Sequence, residues 1–345
     1  MSAKGKATSL DIAHLAGVSQ PTVSRALRGS PMVNSQTRQR IQEIARQLNY
    51  KVDKNASNLR CQQSGTLALL FFEDPTPDDS LINPFFHSML GSITRACALH
   101  GQDLLVSFQQ LSSDWHADFE ESNKADGIIL LGYGDYHESV HRLERLVAQG
   151  THFVRWGATQ PGQPGVAVGS DNFQGGMDVT AHLLAQGCRQ IAFLGHASSH
   201  YPEFAERYAG HSHALRAAGL PVHRHLQQDA ITTEESGYNA CVALLRKGQR
   251  FDAICAASDL IAIGALRALR ERGLRVPRDV AVTGFDDIPL AASVSPALTT
   301  VQQDTKHAGQ LLVEKLLGLI NGQCVESQTI AVRLNLRESS QRALS

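Results

Sequence analysis

The chain has 345 residues, 42% of them hydrophobic and 19% charged, with a formal net charge of −1 at pH 7. This length is too great for one ordinary domain, and the composition excludes an intrinsically disordered protein. The first sixty residues hold ten Lys or Arg against three acidic residues, a net charge of +7, which leaves −8 for the rest. A basic head on an acidic body indicates that only the head binds a polyanion.

The six cysteines are scattered and form no CxxC pair. This spacing predicts reduced thiols in a cytosolic protein rather than a disulfide framework. The N-terminal stretch lacks the apolar run of a signal peptide, and no window approaches the ~18 apolar residues of a membrane span. We therefore expect a soluble, cytoplasmic protein.

Short helices are predicted at the start of the chain. Thr8 or Ser9 can cap a first helix, and Gly17 interrupts its apolar pattern. Ser19 then offers an N-cap for a second helix, with Pro21 in its first turn, where a missing N–H is harmless. A third helix is predicted over roughly 35–48, from apolar residues at i, i+3, i+4 and i+7 spacing. Two short helices joined by a glycine-containing turn are typical of a helix-turn-helix unit.

In such a unit the first residues of the second helix face base edges in the major groove. Here these residues are Gln20, Pro21 and Arg25. Gln can pair with adenine and Arg with guanine, while Pro offers only apolar contact. The remaining polar candidates suit phosphates, which fix register without reading sequence; they are Ser19, Thr22, Ser24 and Asn34. The alternative is a plain helical bundle with a solvated polar face, but the turn chemistry and the charge of +7 favour DNA binding.

After residue 64 the pattern changes to apolar strand-like runs alternating with amphipathic helices. Near-continuous apolar runs are expected when both faces of a parallel sheet are covered, so the sequence predicts a doubly wound α/β fold. There are too many strands for one lobe, and we expect two lobes that face each other across a cleft. The strands are predicted at 66–72, 103–108, 127–132, 152–157, 190–195, 251–258 and 280–286.

The stretch TSLDIAHLAGVSQPTVSRALRG, followed by VNSQTRQRIQEIARQLNY, resembles the headpiece of the LacI/GalR family of bacterial transcription regulators. The next residues resemble the family's hinge, where a short helix folds on operator DNA and a leucine enters the minor groove. Leu59 lies at that place, and an apolar wedge of this kind kinks the duplex. The alternative role for Leu59 is a linker residue that packs on the body. The resemblance implies a headpiece over 1–52, a hinge over 53–63 and an effector-binding and dimerisation domain over 64–345.

The resemblance extends across the body and implies the shape of periplasmic sugar-binding proteins. In that shape the chain crosses three times between two lobes, and the corresponding crossings fall near 163–168, 291–296 and 324–328. The N-lobe is then expected at about 64–165 and 294–324, and the C-lobe at about 166–293 and 325–345. Ligands of such sheets bind beyond the C-terminal ends of the strands, which point into the cleft.

Several polar and aromatic residues lie at those strand ends. The resemblance matches Arg207 to the family's effector-binding arginine, Asp286 to its effector-contacting aspartate and Asp259 to a second aspartate. An N-cap role is the alternative for Asp259 and for Asp171. Phe86 is a better candidate than Phe85 for stacking on a sugar. The full set of effector candidates is Asp74, Phe86, Arg155, Trp156, Glu203, Arg207, Asp259 and Asp286.

Clustered carboxylates are costly around an anion but suit a neutral polyol, so we favour a sugar as the effector. Arg155 stands where many relatives carry Asp, which leaves a phosphorylated sugar open. Thr232 lies near the place where some relatives carry an aromatic ring that covers the ligand. The sequence therefore does not predict an aromatic wall on that side of the site.

Fifteen histidines include the clusters HASSH, HSH and HRH, but their spacing does not favour a metal site. No dinucleotide fingerprint, phosphate-binding loop or catalytic triad pattern is found, so we expect no cofactor, no metal and no enzymatic activity.

These patterns together predict a homodimeric, DNA-binding transcription regulator, a repressor of carbohydrate-utilisation genes that a sugar releases from a pseudo-palindromic operator. The alternatives are a co-repressor-dependent regulator that senses a sugar phosphate or a purine, and a sugar-binding protein without a regulatory role.

Overall fold

The computed structural model describes residues 7–27, 29–50, 64–71, 82–108, 114–132, 135–248 and 250–342. By their contacts the residues divide into two units, Met1–Ser64 and Gly65–Ser345, which we call the headpiece and the body. Within the described ranges, no helix is both long and apolar enough to cross a membrane.

The described part of the headpiece contains three helices, α1 (Ser9–Ala16), α2 (Gln20–Leu27) and α3 (Ser35–Gln47). Thr8 caps α1 through a capping box, because its hydroxyl accepts a bond from the N–H of Asp11 and the Asp11 carboxylate accepts one from the N–H of Thr8. Gly17 adopts a left-handed φ of 62°, which closes the turn before α2 without a steric clash. The predicted helix-turn-helix is confirmed.

The headpiece core is small and consists mainly of short side chains. Its buried members are Ile12, Ala13, Ala16, Val23, Ala26, Val33, Ile41 and Ala45. Leu10 and Leu15, which belong to the apolar stripe of the sequence, are 63% and 59% exposed. The buried side of α1 is therefore narrower than its apolar pattern indicates.

The first sheet of the body is parallel throughout. In the described residues its strands are β1 (Thr66–Phe71), β2 (Asp103–Phe108), β3 (Gly127–Leu131), β4 (Phe153–Trp156), β5 (Val166–Ser170) and β11 (Gln328–Ile330). Their order is β11-β5-β4-β3-β1-β2, which places β2 at one edge. Helices α4 (Pro84–Leu99), α5 (Tyr136–Ala148) and α10 (Thr305–Ile320) pack on this sheet, and a short π-helical segment spans Ala117–Glu121.

The second sheet has the order β12-β10-β9-β8-β6-β7. Its described strands are β6 (Ile191–Leu194), β7 (Gln227–Gln228), β8 (Ala253–Ala256), β9 (Ala281–Asp286), β10 (Thr299–Gln302) and β12 (Arg333–Asn335). Only β12 runs antiparallel to its neighbour among these strands. The helices of this lobe are α6 (Asn172–Ala185), α7 (Pro202–Ala217), α8 (Glu234–Arg246) and α9 (Asp259–Glu271).

The described chain crosses between the two lobes three times, after β5, after β10 and after β11. Strands β5 and β11 pair within the first sheet, and β10 pairs within the second. The crossings therefore lie near Asp171, which caps α6, and near Gln303 and Ala331. They are later in the chain than the predicted 163–168, 291–296 and 324–328, and the lobe boundaries shift with them. The reason is that β5, β10 and β11 contain glycine, serine, threonine or glutamine and therefore form no continuous apolar run.

The two sheets with helices on their faces confirm the predicted fold class, an all-α headpiece followed by a two-lobed α/β body. Central strands such as β3 and β4 are buried along their whole length. Their covered faces explain why the sequence shows continuous apolar runs rather than alternation. The candidates Arg155 and Trp156 lie at the C-terminal end of β4, and Asp286 lies at that of β9.

Candidate functional site

The exposed face of α2 presents the candidate DNA-reading side chains. Pro21 and Arg25 are exposed, while the opposite face of α2 is buried in the headpiece core. The carbonyl of Ser19 accepts hydrogen bonds from the N–H groups of Thr22 and Val23, at 2.9 and 3.1 Å. Ser19 therefore occupies the N-cap position, and the helix begins where the sequence predicts.

The polar residues around this turn make contacts within the headpiece. The amide nitrogen of Gln20 donates to the hydroxyl of Ser9 at 2.8 Å, which links α2 to α1. The hydroxyl of Thr22 lies 2.9 Å from that of Ser19. Gln20, Thr22 and Ser24 are half-buried, so DNA would meet only part of each side chain. Their DNA contacts stay predictions.

Asn34 and Leu59 complete the headpiece candidates. Asn34 is exposed, and its side-chain oxygen caps α3 by accepting a bond from the N–H of Thr37 at 2.8 Å. The cap points the positive N-terminal end of α3 at this surface, a favourable place for a phosphate. Leu59 lies outside the described residues.

In the body, Arg207 of α7 is 1% exposed, so its guanidinium must find partners inside the protein. Its Nε donates to Asn172 at 2.8 Å, and its Nη1 donates to the carbonyl of Ala257 and lies 3.6 Å from Oδ1 of Asp286. The ring of Phe285 lies 3.7 Å from the guanidinium carbon. The structure therefore brings together Arg207 and Asp286, two residues that the sequence matched to effector contacts.

Close packing of α6 on α7 fixes the position of Arg207. A Cβ atom on Gly176 would lie 2.1 Å from the carbonyl oxygen of Arg207, and one on Gly210 would lie 2.0 Å from that of Phe173. Only glycine permits so close an approach of two backbones. The two glycines thus hold Arg207 within reach of Asn172, the first residue of α6.

Asp286 ends β9 in an unusual backbone turn. Its φ is 115° and that of Asp287 is 54°, values that residues other than glycine rarely adopt. Oδ1 of Asp286 accepts a hydrogen bond from the amide of Gln303 at 2.7 Å. Burial raises the pKa of Asp286 to about 7, although Arg207 and Gln303 oppose that shift. The carboxyl group is therefore balanced between its charged and neutral forms near neutral pH.

Asp259 is fully buried and contributes no surface to the cleft in this structure. Its Oδ1 accepts a bond from the hydroxyl of Thr300 at 2.5 Å, and its Oδ2 accepts one from the N–H of Ile288 at 2.9 Å. Burial, followed by the charge of Asp286, raises the pKa of Asp259 well above its ordinary value. Asp259 supports the turn after Asp286, and the cap of α9 is Ser258 instead.

Arg155 lies at the end of β4 and is 6% exposed. Its Nε donates to the carbonyl of Pro164 at 3.3 Å, and its Nη2 donates to the side-chain oxygen of Gln163. Burial lowers the pKa of Arg155, and the charge of Glu203 opposes this shift. Both hydrogen-bond partners described for Arg155 are neutral. Its guanidinium can therefore donate further hydrogen bonds to a negative or strongly polar group of a ligand.

Two carboxylates of α7 reach across to the first lobe. Glu203 accepts a hydrogen bond from the N–H of Ala158 at 2.9 Å, and Glu206 accepts one from the amide of Gln160 at 3.1 Å. Burial raises the pKa of Glu206. The lobes are therefore joined by polar contacts close to Arg155 and Arg207. A ligand bound in this region would change the distance between the two lobes.

The aromatic candidates Phe86 and Trp156 are each 4% exposed and belong to the core of the body. Phe85 lies between them, with ring centroids 5.2 Å from Phe86 and 5.8 Å from Trp156. A stacking role for either ring stays a prediction. Asp74 lies outside the described residues.

Two family models match the chain. The one described as bacterial regulatory proteins, lacI family, matches residues 8–53, and the one described as a periplasmic binding protein-like domain matches residues 180–340. HTH-type transcriptional regulator CelR of Thermobifida fusca is 30% identical over 335 residues, which cover 95% of this chain and 96% of the relative. This chain belongs to the lacI family of bacterial regulatory proteins.

Solved structures of lacI-family members share its fold over nearly the whole length. A lac repressor dimer bound to operator and an anti-inducer superposes with a TM-score of 0.80 at 26% identity, covering 97% of this chain and 99% of that one. A complex of the regulator CelR with cellobiose has a TM-score of 0.72 at 29% identity, covering 96% and 99%. The fold and the family make this chain a transcription regulator with a helix-turn-helix headpiece.

Three residues of this lacI-family site are absent from the sequence-based candidates: Asn172, Glu206 and Gln303. Asn172 and Gln303 contact Arg207 and Asp286 directly. Asn172 lies two positions after β5 and Gln303 one position after β10, at the first two interlobe crossings, and they are 2% and 3% exposed. A polar residue close behind a strand was the available signal, but β5 and β10 themselves were not recognised from the sequence.

The histidine clusters do not form a metal site in the described ranges, where no group of three or more His, Cys, Asp or Glu could hold a metal ion. His211 lies inside the second lobe, with Nδ1 3.0 Å from the hydroxyl of Thr180. Burial lowers the pKa of His211 to about 3, so it is a neutral core residue.

Proposed function

We propose that this regulator is a sugar-responsive repressor that binds a pseudo-palindromic operator as a homodimer. The observation that carries the proposal is the solvent-exposed face of α2, with Pro21 in its first turn and Arg25 in its last turn, on a headpiece of net charge +7. In a helix-turn-helix this second helix enters the major groove, where Arg can form two hydrogen bonds to guanine. The lac repressor relative was solved on its operator, which supports the same role here.

Two surfaces of the body suit a second copy of the chain. Leu105, Val106 and Phe108 on the edge strand β2 are 38–46% exposed. A groove of about 560 Å³ on the second lobe combines a half-buried apolar lining, including Ile263, Leu274 and Val294, with the charged residues Glu234, Arg267, Arg270 and Arg275. Surfaces that combine apolar area with a charged rim mark interfaces, and a two-fold dimer would present two headpieces to two half-sites. The relative solved as an operator-bound dimer supports this assembly.

The effector proposed for the cleft is a sugar. Arg207, Asp286 and Glu203 place charge-assisted donors and acceptors at fixed positions, which suits a molecule with many hydroxyls. A relative with bound cellobiose and a relative named as a ribose operon repressor support a sugar. Arg155 is a buried cation whose described hydrogen-bond partners are neutral, with the charge of Glu203 nearby, and it favours as second candidate a sugar bearing a phosphate or carboxylate group.

The mechanism follows from linkage between the two sites. A sugar that contacts both lobes favours their closed arrangement, and it can shift DNA binding only by its difference in affinity for the two arrangements. We propose no catalytic activity, because the relatives are named as transcription regulators. A repressor of this kind acts in the cytoplasm, where its operator is.

The test is fluorescence anisotropy of labelled fragments from upstream of this gene and its neighbours, titrated at fixed salt with and without a panel of sugars, sugar phosphates and purines. We expect nanomolar-range, sequence-specific binding that one sugar releases. Binding strengthened by a ligand would instead indicate a co-repressor. Binding that depends on salt but not on sequence for every fragment would refute operator recognition by α2.

A further inference from the structure

The lobes are also joined at the start of α5, away from Arg207 and Asp286. Asp135 caps α5 in the first lobe, and its Oδ2 lies 2.7 Å from Nδ1 of His200, in the loop between β6 and α7 of the second lobe. The N–H of Tyr136 donates to the carbonyl of His200 at 2.9 Å, and Nε2 of His137 lies 3.0 Å from the hydroxyl of Ser199. The two imidazole rings have centroids 4.5 Å apart. All three hydrogen bonds cross from one lobe to the other.

We propose that Asp135, His137 and His200 form an interlobe latch that favours closure of the body and makes closure stronger as the pH falls from 8 to 6. The effect of this latch on sugar response rests on the function proposed above. Its effect on closure does not, since the three residues contact each other across the lobes.

The direction of the pH dependence follows from the charges. Burial alone would raise the pKa of Asp135, but hydrogen bonds from His200 and from the N–H of His137 outweigh it and lower that pKa, so the carboxylate stays ionised. Histidine is the side chain that ordinarily gains its charge between pH 8 and 5. A protonated His200 makes a charge-assisted bond to Asp135, which is stronger than a neutral one.

The surrounding titratable groups do not supply the same dependence. Burial raises the pKa of Tyr136 and of Tyr201, so both are neutral from pH 6 to 8. His196 stacks on Tyr201 and lies 3.7 Å from Asp229, and all three belong to the second lobe. These two contacts of His196 therefore do not join the second lobe to the first. The remaining charged groups described near these tyrosines are Glu138, Glu144 and Arg155.

The substitutions that test the latch are His200→Gln and Asp135→Asn, since asparagine keeps the cap of α5. The matched control is His141→Gln, which removes another histidine–carboxylate contact, 3.3 Å from Glu144, that lies within α5 and does not cross the lobes. A Trp115→Phe background leaves Trp156 as the single tryptophan, at the end of β4. Acrylamide quenching of Trp156 at pH 6, 7 and 8 then reports cleft opening without sugar or DNA. Thermal unfolding verifies that each variant is folded.

We expect quenching of the parent protein to fall at pH 6 relative to pH 8. The sugar concentration that half-releases the operator, with cellobiose as the first probe, should fall about two- to fivefold over the same range, the size expected of a partly exposed ion pair. His200→Gln and Asp135→Asn should flatten both profiles, the double variant should add nothing further, and His141→Gln should change neither. A flat parent profile, or an unchanged slope in His200→Gln, would overturn the latch. If no sugar releases DNA, the proposed function fails but the quenching profile still decides the latch.

Discussion

The headpiece and the body carry their candidate sites in opposite ways. In the headpiece, Arg25 and Pro21 are exposed on a surface of net charge +7, over a core of short side chains. In the body, Arg207 and Asp286 are 1% and 4% exposed within a segment of net charge −8. Salt screens exposed charges far more than buried ones. From this comparison we expect operator binding to depend steeply on salt, and sugar binding to respond instead to packing and protonation inside the body.

The largest expected effect is that of Arg207→Gln. Removing the cation leaves Asp286 buried beside no opposite charge, which costs about 3–5 kcal/mol of unfolding free energy for a buried pair. We also expect sugar-induced release to be lost while the headpiece still binds DNA. Urea unfolding and anisotropy measure the two effects. Arg216→Gln, on the exposed side of the same helix, is the matched control, and an equal loss in both variants would contradict the role of the buried pair.

Asp286→Asn tests the protonation of the body. Because the pKa of Asp286 is raised to about 7 in the folded protein, the folded state holds its proton more tightly than the unfolded state. Its contribution to stability is thus fully present below about pH 4 and is lost as pH rises to about 7. Urea unfolding at pH 4 to 8 should show a shallower decline for Asp286→Asn than for the parent protein. Parallel curves would show that Asp286 titrates normally.

Arg25→Lys keeps the charge of the headpiece but removes the planar donor pair. We expect a loss of about 1–3 kcal/mol of discrimination between the operator and a base-substituted operator, with little change in nonspecific affinity. Arg46→Lys, exposed on α3, is the control. Anisotropy on both DNA sequences at two salt concentrations measures the effect, and equal weakening on both sequences would assign Arg25 to the phosphates instead.

The smallest expected effect is that of Thr8→Ala. Loss of the N-cap of α1 should cost about 1 kcal/mol. The cost falls on the headpiece alone, because the capping box is formed entirely by Thr8 and Asp11. Thr8→Ser keeps the hydroxyl and should restore stability. Limited proteolysis with separate detection of headpiece and body fragments distinguishes the two units, and destabilisation of the body would be inconsistent with their independence.

The helices of the headpiece could be predicted because their signals are local. Thr8, Gly17 and Ser19 mark ends of helices within a few residues of where they act. The same holds for the long strands of the body, whose apolar runs are continuous. Leu10 and Leu15 are the exception, since apolarity alone does not tell which side of a short helix meets its neighbours.

The cleft could be predicted only in part, because its contacts join residues far apart in the chain. Arg207 meets Asn172 over 35 residues and Ala257 over 50. Asp259 lies at a strand end as predicted, yet a bond to Thr300, 41 residues away, turns it inward. Which residues of a strand end face a cleft depends on such partners, and no pattern of spacing encodes them.

The most direct test of the coupling between the two units is calorimetry of the sugar that releases the operator. Its affinity for the protein is measured with and without bound operator. Linkage requires that the sugar and the operator change each other's affinity by the same factor. We predict that operator binding weakens sugar binding by the factor by which the sugar weakens operator binding. A sugar affinity that is identical with and without operator would contradict control of the headpiece by the cleft.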